Sequence, residues 1–506
     1  MFAAEELKRL LQKAGYESIV CDQSQFSDIC KRIILIEREE YQFEFPDHDR
    51  LEIQDDGFAL VEKGEDVWII GNEARAILYG VYTYCSKRLG YQWFDLNEEK
   101  NVKGKPLENE MYIHQPFFAR RGNIIETIND PAYICSLIDW GVKNGLNEFF
   151  FTFFLWEEIK AEVVPELMKR DIDVTLGGHS LSFLLADQLE QKEKLQFFSG
   201  NSDLQHQVIR KIVHICKENE VVTRISLWPE DIGVDERDAS DFLLTYIRFT
   251  EMLKKALHAN GLQVEVEHIV YNAGLAWNML ERDEQTAASK EADVLYAFWG
   301  RDYSEPLQSE RLEQKRAYKA LQDWAECGKR ITVLEYYSDH FMLSELFPPL
   351  LTRIHNDLQA YKKLNVDGVL NLIVPIHKKG ETEEHYPWKW AHQLNNYMYA
   401  RLSWGIPFTQ VVEEYKRAGG VEFYEQLLQL EQLIAPHTKW NIPLFPARVI
   451  DPEKVEYAPD QAEIIQYLEE VSSALSKLAV PEQLSMYVYF LRKIANNYFH
   501  KWREVK

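Results

Sequence analysis

Two apolar runs in this chain end abruptly in carboxylates. Arg224-Ile-Ser-Leu-Trp-Pro-Glu-Asp231 delivers Glu230 and Asp231, and Ile331-Thr-Val-Leu-Glu-Tyr-Tyr337 delivers Glu335. Hydrolysis of a glycosidic bond needs an acid for the leaving oxygen and a negative charge to support an oxocarbenium-like transition state. Glu230 and Asp231 are adjacent, so on an extended chain their side chains diverge; the turn that Pro229 favours would let both face one pocket. One would then be a proton donor of raised pKa, and the other would stay ionised and orient substrate. Glu335 is the matching carboxylate from a second strand. The plain alternative for Asp231 is a cap on the following turn.

A sugar also needs flat faces for its C–H surfaces and polar groups for its hydroxyls. Such residues recur around one apolar run after another. Arg120, Arg121 and Glu126 accompany the first, Asn147 precedes the second, and His179 follows Gly177-Gly178 after the third. Trp228 precedes the carboxylate pair, and Tyr271 and Asn272 close the fifth run. Trp299, Arg301 and Asp302 follow the sixth, and Tyr336 and Tyr337 follow Glu335. Singly each has a dull explanation: Arg301-Asp302 reads equally as a local ion pair, and His179 as a hydrogen-bonded structural histidine. Together they suggest a carbohydrate-type cleft with Arg120, Asn147, His179, Trp228, Tyr271, Asn272, Trp299, Arg301, Asp302, Tyr336 and Tyr337 as substrate contacts. The sequence has no HxH or HExxH spacing and no GxSxG elbow, so neither a metal nor another cofactor is expected.

The elements that must position these residues alternate from about residue 116 onward between apolar strands and longer helices, the pattern of parallel βα units. The strands fall at 119–126, 148–154, 173–176, 224–227, 264–270, 293–298, 331–334 and 368–374, with helices at 131–144, 201–218, 240–259, 307–327 and 349–364. Eight strands are what a closed (β/α)8 TIM-type barrel requires, and its active-site residues sit at the C-terminal strand ends. A doubly wound sheet is the alternative, but no glycine-rich phosphate loop follows an early strand. Residues 1–112 read as a small α/β domain. It has a helix over 3–14, strands at 17–21, 31–37, 41–45, 58–62 and 67–70, and a helix that Asn72 caps and Gly90 ends. The polar stretch 97–110 is a linker, residues 113–405 are the barrel, and 406–506 form a helical region at 409–418, 421–435, 460–477 and 481–504.

A net charge of −24 argues against nucleic acid or an anionic membrane as a partner, because phosphate contacts need clustered Lys and Arg. The opening Met-Phe-Ala-Ala-Glu-Glu lacks the basic and apolar regions of a signal peptide, and no run approaches the ~18 apolar residues of a membrane span. Six scattered cysteines without CxxC spacing read as reduced thiols. The expectation is a cytoplasmic protein, with an oligosaccharide or glycoside as its partner and room for a homo-oligomer.

Val67-Trp-Ile-Ile-Gly-Asn-Glu-Ala-Arg-Ala-Ile-Leu-Tyr-Gly-Val-Tyr82, continuing to Leu89-Gly-Tyr-Gln-Trp-Phe94, resembles the small α/β domain that precedes the barrel in glycoside hydrolase family 20 hexosaminidases and family 67 α-glucuronidases. The barrel resembles domain-of-unknown-function family 4838, related to glycoside hydrolase family 163. The matching stretches are Trp140–Asn147, Gly178-His179, Pro229-Glu-Asp231, Trp299-Gly-Arg-Asp-Tyr303, Glu335-Tyr-Tyr337 and Tyr397-Met-Tyr-Ala-Arg-Leu-Ser-Trp404. The resemblance implies a barrel glycosidase for N-acetylhexosaminides, in which the substrate acetamido group serves as nucleophile. Two departures stand out. Family 20 has Asp before Glu where this chain has Glu230-Asp231, and family 4838 often has a C-x-C-x-x-C run where this chain has Gly233-Val-Asp-Glu-Arg237. Two other readings stay open: a non-catalytic carbohydrate-binding protein on a degenerate barrel, and an α-glucuronidase-like enzyme with Arg120, Arg121 or Arg301 clamping a uronate.

Overall fold

Strands covered on both faces read as unbroken apolar runs, and Glu148-Phe-Phe-Phe-Thr152 is buried at all five positions. It is one of eight parallel strands: β7 (Arg120–Ile125), β8 (Glu148–Thr152), β9 (Asp173–Gly178), β10 (Val222–Leu227), β11 (Glu265–Tyr271), β12 (Asp293–Ala297), β13 (Ile331–Asp339) and β14 (Gly368–Val374). They close into a barrel in chain order, with β14 hydrogen-bonded to β7. The computed structural model describes residues 1–22, 31–46, 51–96, 99–101, 111–186, 197–198, 202–229, 239–272, 277–281, 289, 291–327, 329–343, 347–374, 389–419 and 421–435, together with residues 470, 473, 477 and 489.

Side chains that meet across the barrel define its interior. Arg120, the first residue of β7, donates to both oxygens of Glu148 at 2.8 Å, to Glu267 Oε2 at 2.6 Å and to Thr332 Oγ1 at 2.7 Å. β11 lies opposite β7, so the Arg120–Glu267 pair spans the lumen. Arg224 adds a bond to Asp293 at 2.8 Å, and Thr175 bonds Glu148 at 2.6 Å. The N-terminal end of the barrel is therefore filled by an ionic layer where branched aliphatics are usual. Burial alone would raise Glu148, yet Arg120 beside it brings the carboxyl down to about 2.

Residues three positions further along β13, β14 and β7 face outward instead. Glu335, Asn371 and Asn123 are aligned across β13, β14 and β7. Each meets an outer helix: Glu335 reaches Tyr361, and both asparagines bond Asn396 at 2.9–3.0 Å. The helices concerned are Leu351–Lys363 and Lys389–Trp404.

The N-terminal region holds a four-stranded sheet in the order β1 (Ile33–Glu37), β3 (Asp66–Gly71), β2 (Phe58–Lys63), β6 (Met111–His114), and a two-stranded ladder of β4 (Tyr91–Gln92) with β5 (Lys100–Asn101). The hairpin β2–β3 turns at Gly64, whose φ of +66° suits glycine. Helix Ala74–Tyr84 packs on this sheet, and a Cβ at Gly80 would lie 2.4 Å from Ile69, so the close approach requires glycine. Asp56 joins this region to the base of the barrel. It pairs with Arg75 at 2.7 Å and Arg121 at 2.6 Å, and accepts from Asn147 Nδ2 at 2.7 Å.

The structure corrects three local expectations. Residues 41–44 are helical, within Arg38–Glu44, with Phe45 as the C-cap, and 41–45 is not a strand. The alternating pattern of Tyr41, Phe43 and Phe45 is resolved by tertiary packing: Tyr41 and Phe45 meet at helical spacing and both ring against Trp68, while Phe43 is 87% exposed. Residues 17–21 are not a strand either. Asn72 does not cap its helix; it donates to Ile53 and Asp55 carbonyls at 3.2 Å. Gly90 does end the helical segment, with φ +77°. Apart from residues 470, 473, 477 and 489, the expected helices at 460–477 and 481–504 lie outside the described residues, as does most of the linker 97–110.

Candidate active site

At the C-terminal mouth, β9 ends in glycines because nothing larger fits. A Cβ at Gly177 would sit 1.8 Å from the Ser226 carbonyl of β10, and Gly178 has φ +69°. This close approach brings His179 against the end of β10. Its Nδ1 lies 2.6 Å from the Pro229 carbonyl, so Nδ1 carries the proton and donates. The His179 ring meets Trp228 edge-on at 5.3 Å, and the Trp228 indole donates to Ser226 at 2.9 Å while its ring leans on Phe150 at 5.1 Å. The residue before Glu230 is thus pinned at the mouth by a histidine from the neighbouring strand. Glu230 and Asp231 themselves lie outside the described residues.

The second cluster forms where β11, β12 and β13 end. Asn272, just past β11, grips the Trp299 backbone from both sides: its Nδ2 donates to the carbonyl and its Oδ1 accepts from the N–H, each at 2.8 Å. Trp299 is half-buried and meets the buried Tyr336 edge-on at 5.1 Å and 87°. Tyr271 closes β11 at the same end. Six of the anticipated contacts, His179, Trp228, Tyr271, Asn272, Trp299 and Tyr336, therefore gather at one end of the barrel. Glu126, past the end of β7, is a half-buried carboxylate near Gly178 at the same end.

The other anticipated residues sit elsewhere. Arg120 opens its strand and belongs to the ionic layer at the opposite end; Asn147 precedes β8 and holds Asp56 and the Arg121 backbone. Both lie at strand starts, the end of the barrel away from the mouth, so neither reaches the cleft. Asp302 caps its own loop, accepting from Ser304 N at 3.0 Å and pairing with Arg311 at 2.8 Å. Tyr337 points to the outer helix, where its hydroxyl bonds Asp357 at 3.2 Å.

Glu335 is the largest departure. It is buried on the outer side of β13, where Arg301 Nη1 donates at 2.6 Å, Tyr303 at 2.7 Å, and the Tyr361 hydroxyl as a third donor. Arg301 Nη2 also faces Asp357 Oδ1 at 2.6 Å. Burial raises the Glu335 pKa against the pull of Arg301, as a proton donor would need. Geometry nevertheless gives it no face on the mouth, so neither it nor Arg301 reaches a sugar there. The supporting residues missed from sequence, Asp357 and Tyr361, did leave a signal. Both sit on the apolar stripe of their helix with Ile354 and Leu358, an unusual place for an acid.

Among the described residues there is no group of three or more His, Cys, Asp or Glu able to hold a metal ion, and no helix long and apolar enough to cross a membrane.

Residues 268–417 match the family described as domain of unknown function DUF4838, and residues 1–84 match the glycosyl hydrolase family 67 N-terminus. Among curated proteins, alpha-glucuronidase A of Aspergillus tubingensis is 37% identical over 78 residues, which is 15% of this chain and only 9% of that relative. Solved structures share the fold at low identity. A GH138 enzyme targeting pectin rhamnogalacturonan II aligns with TM-score 0.60 at 13% identity over 99% of this chain and 67% of its own. CpGH84B aligns at 0.55 and 14%, covering 99% and 85%. The GH20 β-N-acetylhexosaminidase of Streptomyces coelicolor A3(2) aligns at 0.52 and 14%, covering 85% and 90%. The DUF4838 match begins within β11, so Asn272, Trp299 and Tyr336 fall inside it, and His179 and Trp228 before it.

Proposed function

We propose that this protein is a glycoside hydrolase acting on a neutral sugar of the N-acetylhexosaminide type, with Glu230 and Asp231 as its catalytic carboxylates. The observation that carries the reading is the end of β10. Trp228-Pro229 is fixed at the barrel mouth by His179, and the next two residues in the chain are the two acids. One member of the pair protonates the leaving oxygen, and the other stays ionised to orient the substrate's acetamido group. The half-buried Trp299 offers an apolar face, while Asn272 braces its backbone and the buried Trp228 packs on His179 and Phe150.

The uronate-specific reading loses support from the same geometry. Arg120 is consumed by Glu148 and Glu267, Arg121 by Asp56 and backbone carbonyls, and Arg301 by Glu335 and Asp357. None of the three arginines proposed as a clamp is left for a substrate carboxylate. The test is a set of three isosteric variants assayed on aryl N-acetylhexosaminides. Glu230→Gln and Asp231→Asn should each lose about a hundredfold or more in kcat, whereas Glu335→Gln should keep kcat within about tenfold, the effect of one positioning hydrogen bond. Full activity in both pair variants would refute the assignment, and saturable sugar binding without turnover by the wild type would favour a carbohydrate-binding protein.

A further inference from the structure

A buried ion cluster is a weak source of stability, since well-packed apolar residues often serve as well. The cluster around Glu335 makes contacts that suggest another use. The Tyr303 hydroxyl donates to Glu335 Oε2 at 2.7 Å and accepts from the Tyr336 backbone N–H at 3.1 Å. Tyr336 follows Glu335 on β13, so strand alternation turns its ring to the other side, where it meets Trp299 edge-on. Arg301, two residues beyond Trp299, reaches back to Glu335 and Asp357, and Gly300 makes the bend between them with φ +86°. Arg353 adds a bond from its Nε to the Tyr303 carbonyl at 3.0 Å. The loop carrying Trp299 is thus held by Asn272 on one flank and by an outward-facing cluster on the other.

From this geometry we infer that Glu335, Arg301, Asp357 and Tyr303 form a positioning cluster that sets Trp299 from outside the barrel. The half-buried Trp299 indole is the face on which a sugar ring stacks. The ligand, though not the positioning, rests on the glycosidase reading of the mouth. None of the four cluster residues touches substrate; they act through Tyr336 and Trp299.

Tyr303→Phe in the full chain removes a single oxygen and leaves the ring in place. Its near-UV circular dichroism should lose intensity from the Trp299–Tyr336 pair. With the aryl glycoside that the wild type hydrolyses, KM should rise about tenfold, the loss of roughly one hydrogen bond, with kcat nearly unchanged. Trp299→Ala should raise KM at least as much, and adding Tyr303→Phe to it should change KM less than about twofold, because coupled residues are not additive. Additive effects, or a wild-type spectrum and KM in Tyr303→Phe, would overturn the cluster while leaving the glycosidase reading intact. A wild type that neither binds nor hydrolyses any aryl glycoside would overturn the stacking face together with that reading. Should Tyr303→Phe fail to fold, Glu335→Gln keeps an acceptor for Tyr303 and carries the same readouts, with a smaller rise in KM expected and wild-type values again refuting the cluster.

Discussion

Arg120→Met removes the guanidinium that bridges the barrel lumen while keeping an unbranched side chain of similar length. Its loss strips Glu148 of a two-pronged partner and leaves Glu267, among the described residues, with Arg224 3.6 Å away as its cation. The magnitude follows from Glu148. Its carboxyl falls from the ordinary 4.5 to about 2 against the upward push of burial, which at about 1.4 kcal/mol per tenfold change is roughly 3 kcal/mol. Breaking a buried pair by removing one partner costs about 3–5 kcal/mol, in agreement. A depressed carboxylate stabilises the fold above pH 4.5 and loses that contribution as pH falls toward 2. The deficit of Arg120→Met should therefore be full at pH 7 and shrink in acid, as the orphaned carboxylates take up protons. Thermal unfolding at pH 7 should show a loss on the order of 5–10 °C, with KM of the surviving enzyme unchanged. A variant that melts like the wild type but binds sugar poorly would refute the reasoning and return Arg120 to the cleft.

Gly177→Ala drives a methyl group into the Ser226 carbonyl, so it should destabilise by about 3 kcal/mol or more in denaturant titration; a silent substitution would contradict the close approach of β9 and β10. Burial holds His114 and His268 down at about 4, and His392 at about 3. Their neutral forms stabilise the fold above pH 6.5, and each contribution is lost at roughly 1 kcal/mol per pH unit below it. The melting temperature should consequently fall steeply between pH 6.5 and 5, and a flat profile there would count against buried neutral histidines. Asp56→Asn leaves Arg75 and Arg121 without their shared anion, and should cost about 3 kcal/mol and speed proteolytic separation of the N-terminal region; unchanged proteolysis would show that Asp56 does not couple the two.

The fold was readable because its period was unambiguous. Eight apolar runs separated by amphipathic helices leave little besides a barrel, and all eight strands lie where hydrophobicity puts them. The exceptions are short segments such as Tyr41–Phe45, whose alternation fits a strand and whose i, i+4 aromatics fit a helix equally. The site was less legible. His179, Trp228, Asn272 and Trp299 could be found because they follow strands. Arg120 and Asn147 could not be separated from them, since strand starts and ends carry the same residue types. Glu335 failed for a different reason. The strand β13 runs on to Asp339 with a bulge after Glu335, so the acid lies within a strand, where only the inward or outward parity decides its role. Parity is set by neighbours on β14 and on a helix later in the chain.

The most direct measurement is release of the aryl alcohol from a panel of activated hexosaminides, N-acetylhexosaminides and glucuronides by the purified wild-type chain. Turnover should be confined to the neutral sugars, be greatest for an N-acetylhexosaminide, and vanish in Asp231→Asn. Turnover of the glucuronide alone would contradict the neutral-sugar cleft, and turnover undiminished in both Asp231→Asn and Glu230→Gln would contradict catalysis at the end of β10.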